Sequence, residues 1–173
     1  MTWQRYNKNL RESPLLVEYF SFWTNSTLLE KPNIYLMRWN PAISSFTEKD
    51  YEECIENQVH GMFRMNWSIC EWEEAHRGDM FYMMREGDDR AGILFRGQFI
   101  SDPYPADDWA GTTKRRMYVD MICGSPEVPS GKPRIPRGKL QEAISGIDWS
   151  KGHSGILLPG GVAEMLNELF LGE

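Results

Sequence analysis

The chain has 173 residues, 41% hydrophobic and 25% charged, with seven Trp. That suits a single globular domain and is too apolar for a disordered one. A net charge of −6 excludes a general nucleic-acid coat. No apolar run approaches the ~20 residues of a membrane span, and the opening MTWQRYNKNLRESP carries no signal-like apolar segment. A cytoplasmic protein without membrane attachment is therefore expected.

Charge is spread unevenly. Between Ala110 and Leu140 seven basic residues (Lys114, Arg115, Arg116, Lys132, Arg134, Arg137, Lys139) face two acidic ones (Asp120, Glu127), so that segment is +5 and the remainder −11. Such a strip suits either local phosphate contacts or salt bridges across a solvated surface. Cys54, Cys70 and Cys123 are odd in number, widely spaced and without a CxxC. They read as buried thiols, and no disulfide or metal set is expected.

In chain order, Ser13-Pro14 caps a helix through Leu15, Leu16, Tyr19, Phe20 and Trp23. Asn25 to Pro32 is a linker. The domain plan is thus a helical extension over 1–32 and a main domain over 33–173. Asn33 to Trp39 reads as a buried strand ended by Asn40-Pro41. Thr47 and Asp50 form a capping box for a helix whose apolar stripe is Tyr51, Cys54, Ile55 and Val59 and whose other face is acidic; Gly61 ends it. Met62 to Ile69 is extended, and Glu71 to His76 suits one helical turn. Arg77-Gly78-Asp79 turns into a strand over Met80–Arg85, and Gly87-Asp88-Asp89 closes a hairpin onto the strand Ala91–Ile100.

Ala91 and Gly92 leave room for close packing. Pro103 and Pro105 cannot continue a ladder, so Ser101 to Trp109 is expected as an ordered loop leaving the sheet. Arg116 to Cys123 alternates as a strand, and Gly124 to Pro136 is loop. Pro136 to Ile144 makes a short helix and Ser154 to Leu158 a short strand. A terminal helix after Pro159 carries Val162, Met165, Leu166, Leu169 and Phe170 on one stripe. The pattern predicts an α+β domain of five or six short strands, curled into a mixed barrel and packed by helices.

Catalytic patterns are weak. His60, His76 and His153 are far apart with no HExxH, and Gly152-His153-Ser154-Gly155 lacks both the spacing and the setting of a nucleophile elbow. Gly160-Gly161 precedes a helix without a dinucleotide or P-loop fingerprint. No catalytic residue, metal or cofactor is assigned. What stands out is Trp at element ends, each beside a hydrogen-bonding group: Trp39 with Asn40, Trp67 with Ser68, Trp109 with Asp108. Such rings serve equally as plugs of a barrel core and as walls that stack a planar base.

The order Trp39-Asn40-Pro41, Gly61…Trp67-Ser68, Gly78-Asp79-Met80-Phe81, Arg90-Ala91-Gly92-Ile93, Ser101-Asp102-Pro103-Tyr104…Trp109, Tyr118-Val119-Asp120 and Ser154-Gly155 resembles the EVE-like domains of the PUA superfamily. It is most similar to those that sense modified cytosine on HNH-type restriction endonucleases, and the resemblance spans roughly 34–170. It implies a PUA-like barrel whose pocket takes a modified base flipped from its stack. By similarity to the related YTH readers, Trp67 and Trp109 would be facing walls. Asn40 and Ser68 would touch the base edge, Trp39 would line or support the pocket, and Asp102 and Tyr104 would shape its closing loop.

Lys114, Arg115 and Arg116 are assigned to phosphates from charge alone. With the sequence stopping at Glu173 there is no room for a nuclease, so action on DNA would need an effector such as a nuclease in trans. The leading expectation is a non-enzymatic reader of a modified base in DNA, with RNA or a free nucleotide as other ligands, acting in defence or as a sensor. The rivals are an RNA- or nucleotide-processing enzyme using Asp102, Asp120 and Lys114, and a protein-interaction domain using the acidic helix over Thr47–His60.

Overall fold

In the computed structural model, which describes residues 31–124 and 132–172, the main domain opens with β1 (Ile34–Trp39). The helix expected over Ser13–Trp23 and part of the Gly124–Pro136 loop lie outside the described residues. Helix α1 (Glu48–Glu56) begins as predicted: Thr47 Oγ1 accepts from the Asp50 N–H, and Asp50 accepts from the Thr47 N–H in return. It is shorter than its apolar stripe suggested. Asn57 caps it, and Val59 lies beyond its end, exposed.

Seven strands and two helices follow: β2 (Met62–Ser68), β3 (Met80–Arg85), β4 (Gly92–Phe99), β5 (Tyr104–Asp107), β6 (Arg115–Gly124), β7 (Ile135–Pro136), α2 (Arg137–Ala143), β8 (Ile156–Leu157) and α3 (Gly160–Leu171). The expected helical turn at Glu71–His76 is one hydrogen-bonded turn, with the Ala75 N–H donating to Trp72 O, and no helix. The loop expected to leave the sheet at Ser101 does so for three residues only. It returns as β5, paired antiparallel with β6 from Tyr104↔Tyr118 to Asp107↔Arg115. Pro105 is tolerated because β5 pairs with β6 and no other strand, so a missing N–H on its outer side costs nothing.

The architecture is α+β with one mixed eight-stranded sheet, path β2-β6-β4-β3-β1-β8, with β5 on β6 and β7 on β4. Only β1 and β3 run parallel. The expected barrel of five or six strands needs correcting on both counts, because two short strands, β5 and β7, add to the sheet and the path does not close. Its ends do approach: the N–H groups of Cys70 and Glu71, just past β2, donate to the carbonyls of Ser154 and Gly155, just before β8.

The sheet is buried on both faces. One face gathers Tyr35, Met37, Trp39, Phe81, Phe95 and Phe63 beneath Tyr51 and Cys54 of α1. The other carries Leu36, Tyr82, Met84 and Ile93 under Leu140, Val162, Leu166 and Phe170 of α2 and α3. Each fully buried Leu or Phe there contributes roughly 1.5–3 kcal/mol. Met165, expected on the α3 stripe, is 44% exposed while Ala163 is buried.

A bulge in β4 serves both layers. Met83 faces Phe95 but Met84 faces Ile93, so Leu94 is an extra residue and Ile93 turns to the helix-covered face while Phe95 stays on the other. Gly92 does make close packing possible, for a Cβ there would sit 2.2 Å from the carbonyl oxygen of Ile135 in β7. Cys54 and Cys123 are buried as expected, but Cys70 is exposed. No helix among the described residues is long and apolar enough to cross a membrane.

Candidate functional site

The end of β1 fixes two of the expected site residues. Trp39 is 1% exposed, its Nε1–H donates to the Phe46 carbonyl at 2.7 Å, and its ring meets Phe46 and Tyr51 at 5.4 and 5.2 Å between centroids. Trp39 therefore supports the site from behind and offers a ligand no face. Asn40 turns the chain: its side-chain oxygen accepts from the Ala42 N–H at 3.1 Å. Its carboxamide rests on Gly87, where an added Cβ would be 2.5 Å from Asn40 Oδ1. Only glycine admits that approach.

Phe46 carries the aromatic layer onward to Trp67, edge to face at 5.9 Å. Trp67 is only partly buried, and its indole N–H donates to Ser154 Oγ at 3.0 Å. The same hydroxyl oxygen accepts from the Arg38 N–H at 2.9 Å. Ser154 thus ties Trp67 to β1 from a segment more than eighty residues away in sequence, and it sets the plane of the indole.

Strand alternation separates Trp67 from Ser68. In the β2–β6 ladder Trp67 stands opposite Val119 and Ser68 opposite Tyr118, and paired residues share a face while neighbours oppose. Ser68, Tyr118 and Tyr104 form one row across three strands, on the face away from the Trp67 side chain. There Tyr104 stacks on Tyr118 at 6.4 Å and its hydroxyl donates to Asp120 Oδ1 at 2.7 Å. Burial first, and then the Asp120 carboxylate, raise the Tyr104 pKa well above its usual value. Tyr104 is a neutral hydrogen-bond donor already in use.

The segment after β5 is pinned from that same face. Tyr118 Oη accepts from the Trp109 N–H and donates to the Asp107 carbonyl, both at 3.0 Å. Trp109 keeps 44% of its surface. Asp108 is buried, and its carboxyl is held below the usual range by the Thr112 hydroxyl and then the Arg116 guanidinium, whose Nε is 2.6 Å away. Arg115 donates to the Pro105 carbonyl at 3.2 Å. Of the expected phosphate contacts, Arg116 is thus charge-paired within the hairpin and Arg115 leans on it, while Lys114 is exposed. Asp102 is exposed and accepts from the Arg77 N–H at 2.9 Å.

The expected set therefore divides. Trp39 and Trp67 lie along one aromatic layer with Phe46, Ser154 holds the Trp67 indole, and Asn40 follows Trp39 in a turn packed on Gly87. Ser68, Tyr104 and the Trp109 backbone lie around Tyr118 on the opposite face, and Asp102 belongs to a neighbouring turn. Beside Asn40 there is an open depression of about 530 Å³, lined by Glu86, Asp88, Arg137, Lys151 and Gly152 among others.

Under its rim lies a charged cluster that sequence reading missed. Fully buried Arg85 donates to both oxygens of Glu48 (2.9 and 2.6 Å) and both of Asp88 (3.1 and 2.6 Å), and its guanidinium sits 5.2 Å from the Trp39 ring centroid. Arg38, 3% exposed at its side chain, pairs with Glu86. An arginine inside an apolar strand, as in MRW and MMR, was the available signal, since such a charge needs a partner. Among the described residues no group of three His, Cys, Asp or Glu stands close enough to hold a metal.

No family model matches the chain, and no curated protein matches it. Among solved structures the chain is similar to the crystal structure of protein PSPTO5229 from Pseudomonas syringae, a structural-genomics target. The match is 17% identical and covers 79% of this chain and 99% of that one, with a TM-score of 0.48. That likeness is too loose to carry a function across.

Proposed function

We propose that this protein is a non-enzymatic reader of a modified, flipped nucleobase, with modified cytosine in DNA the expected ligand and the PUA-like EVE class its fold. The observation that carries this reading is Trp67: a partly open indole at a strand end, its plane fixed by Ser154 Oγ, backed by the buried rings of Phe46 and Trp39. Flipping costs a few kcal/mol, and one well-placed stack returns about 1–3 kcal/mol, so edge contacts must supply the rest. Asn40 has its carboxamide oxygen committed to Ala42 and offers amine hydrogens to an acceptor edge, such as N3 and O2 of cytosine. The approach of the sheet ends at Cys70–Glu71 and Ser154–Gly155 favours the PUA-like comparison.

The enzyme alternative draws less support, because Asp102 and Asp120 both accept hydrogen bonds from within the fold. A nuclease or other effector protein is the partner proposed for any action on DNA. Titrating oligonucleotides with and without 5-substituted cytosine against tryptophan fluorescence tests the reading. The modified strand should bind more tightly, and Trp67→Ala should remove the difference while Trp67→Phe keeps part of it. Equal binding of both strands by the parent protein would sink the idea.

A further inference from the structure

The depression beside Asn40 holds charges of both signs, and their pairing decides what it attracts. Glu86 is neutralised by Arg38. Asp88 is neutralised by Arg85 and by Arg90, at 2.6 and 2.9 Å. That leaves Arg137, for which no ion pair is found among the described residues, and Lys151. Lys151 is 85% exposed and lies 3.9 Å from an Asp148 carboxylate that is itself half exposed; at that distance and exposure the pairing is weak. The uncompensated charge of the hollow is positive.

Its back wall adds a donor but no net charge, since Arg38 is paired with Glu86. Gly152 lies over the Arg38 guanidinium so closely that a Cβ would come within 3.2 Å of Cζ, Nε and Nη2. The Arg38 Nε is buried without a partner, while Nη2 donates to the Asp148 carbonyl at 2.7 Å. A guanidinium behind a glycine, two cations at the mouth and the Asn40 turn on one side line this open depression next to the residue assigned to the base edge.

We propose that this recess, formed by Arg137, Lys151 and the Gly152 backbone, is a phosphate subsite that takes one backbone phosphodiester beside the base held at Asn40 and Trp67. The assignment deepens the base-reader function and rests on it for the identity of the ligand, though not for the presence of an anion site. It moves the phosphate contact from the β5–β6 hairpin, where Arg116 is occupied by Asp108, to the loop before β8.

Salt dependence reads phosphate binding directly, since each phosphate neutralised adds about 0.7 to the steepness of log K against log salt for a single strand. Fluorescence anisotropy of a labelled single strand, with and without 5-substituted cytosine, is measured from low to moderate salt. The variants are Arg137→Gln/Lys151→Gln and, as a charge control, Lys49→Gln, an exposed position on α1. The double variant should have a slope shallower by about 0.7 and bind more weakly, with an unchanged ratio between modified and unmodified strands, while Lys49→Gln keeps the parent slope.

An unchanged slope in the double variant overturns the subsite, whatever the base preference. A changed slope without any base preference leaves the subsite standing and overturns the base reading. If no strand binds, the base reading fails and inorganic phosphate decides the subsite. Saturable amide NMR shifts at Lys151 and Gly152, abolished in the double variant, support it, and their absence in the parent refutes it.

Discussion

Replacing Arg85 by Ala asks whether the charged cluster beneath the Asn40 turn stabilises the domain or merely decorates it. The guanidinium is fully buried and makes four hydrogen bonds to Glu48 and Asp88, which tie the start of α1 to the β3–β4 turn. Breaking a buried pair by removing one partner costs about 3–5 kcal/mol, mostly from the charge left behind. Here the carboxylates keep 31% and 29% of their surface, and Arg90 still reaches both, so the loss belongs near the lower end, about 3 kcal/mol. At roughly 2–4 °C per kcal/mol for a chain of this size, Tm should fall by about 6–12 °C.

The pH dependence adds a second reading of the same contact. The Asp88 carboxyl is held well below its usual range, chiefly by the Arg85 hydrogen bond. Its stabilisation is therefore present above the unfolded value of about 3.9 and is lost as pH falls through the lower folded value. Arg85→Ala has less of it to lose, so parent and variant should converge below about pH 4. Thermal and urea unfolding followed by far-ultraviolet circular dichroism at about pH 7 and about pH 3 measures both effects. A loss under about 1 kcal/mol at neutral pH, or an equal gap at both pH values, would refute the reasoning.

Three further outcomes are expected. Gly97→Ala should fail to fold or lose more than about 3 kcal/mol in urea unfolding, because its Cβ would lie 2.1 Å from the Ile122 carbonyl and 2.7 Å from the Phe81 ring. Ser154→Ala leaves the Trp67 and Arg38 N–H groups without their shared acceptor; it should cost about 1–3 kcal/mol, weaken the near-ultraviolet tryptophan signal and weaken base binding. One thiol, Cys70, should react with a disulfide reagent at about pH 8 in the native protein and three after denaturation, since burial raises the pKa of Cys54 and Cys123 and only thiolates attack.

Local signals were the legible part of the sequence. The Thr47–Asp50 box, the β3–β4 hairpin and the Gly92 close approach depend on residue types whose meaning is carried within a few positions. β5 was hidden because Pro103 and Pro105 signal departure from a sheet unless the strand is known to be an edge, which is a tertiary fact. The β4 bulge, and with it the two-sided burial of Ile93 and Phe95, depends on register with β3. The extent of closure depends on where β8 lands beside β1.

For the site, the separation of Trp67 from Ser68 follows from alternation once Met62–Ser68 is a strand, and so was within reach. Ser154 was not, because its two donors lie 87 and 116 residues away in sequence and nothing local marks its hydroxyl as a hub. The recess at Arg137 and Lys151 likewise forms from separate segments of chain that no spacing rule connects.

The central claim is that Trp67 and Asn40 form a reading edge for a modified base, and competition binding tests it most directly. A single strand carrying one 5-substituted cytosine is competed against its unmodified twin, on the parent protein and on Trp67→Ala and Asn40→Ala variants shown to be folded by circular dichroism. The account predicts a preference of at least about tenfold, about 1.4 kcal/mol, lost in both variants. A parent protein that binds the two strands equally, or variants that keep the full preference, would contradict it.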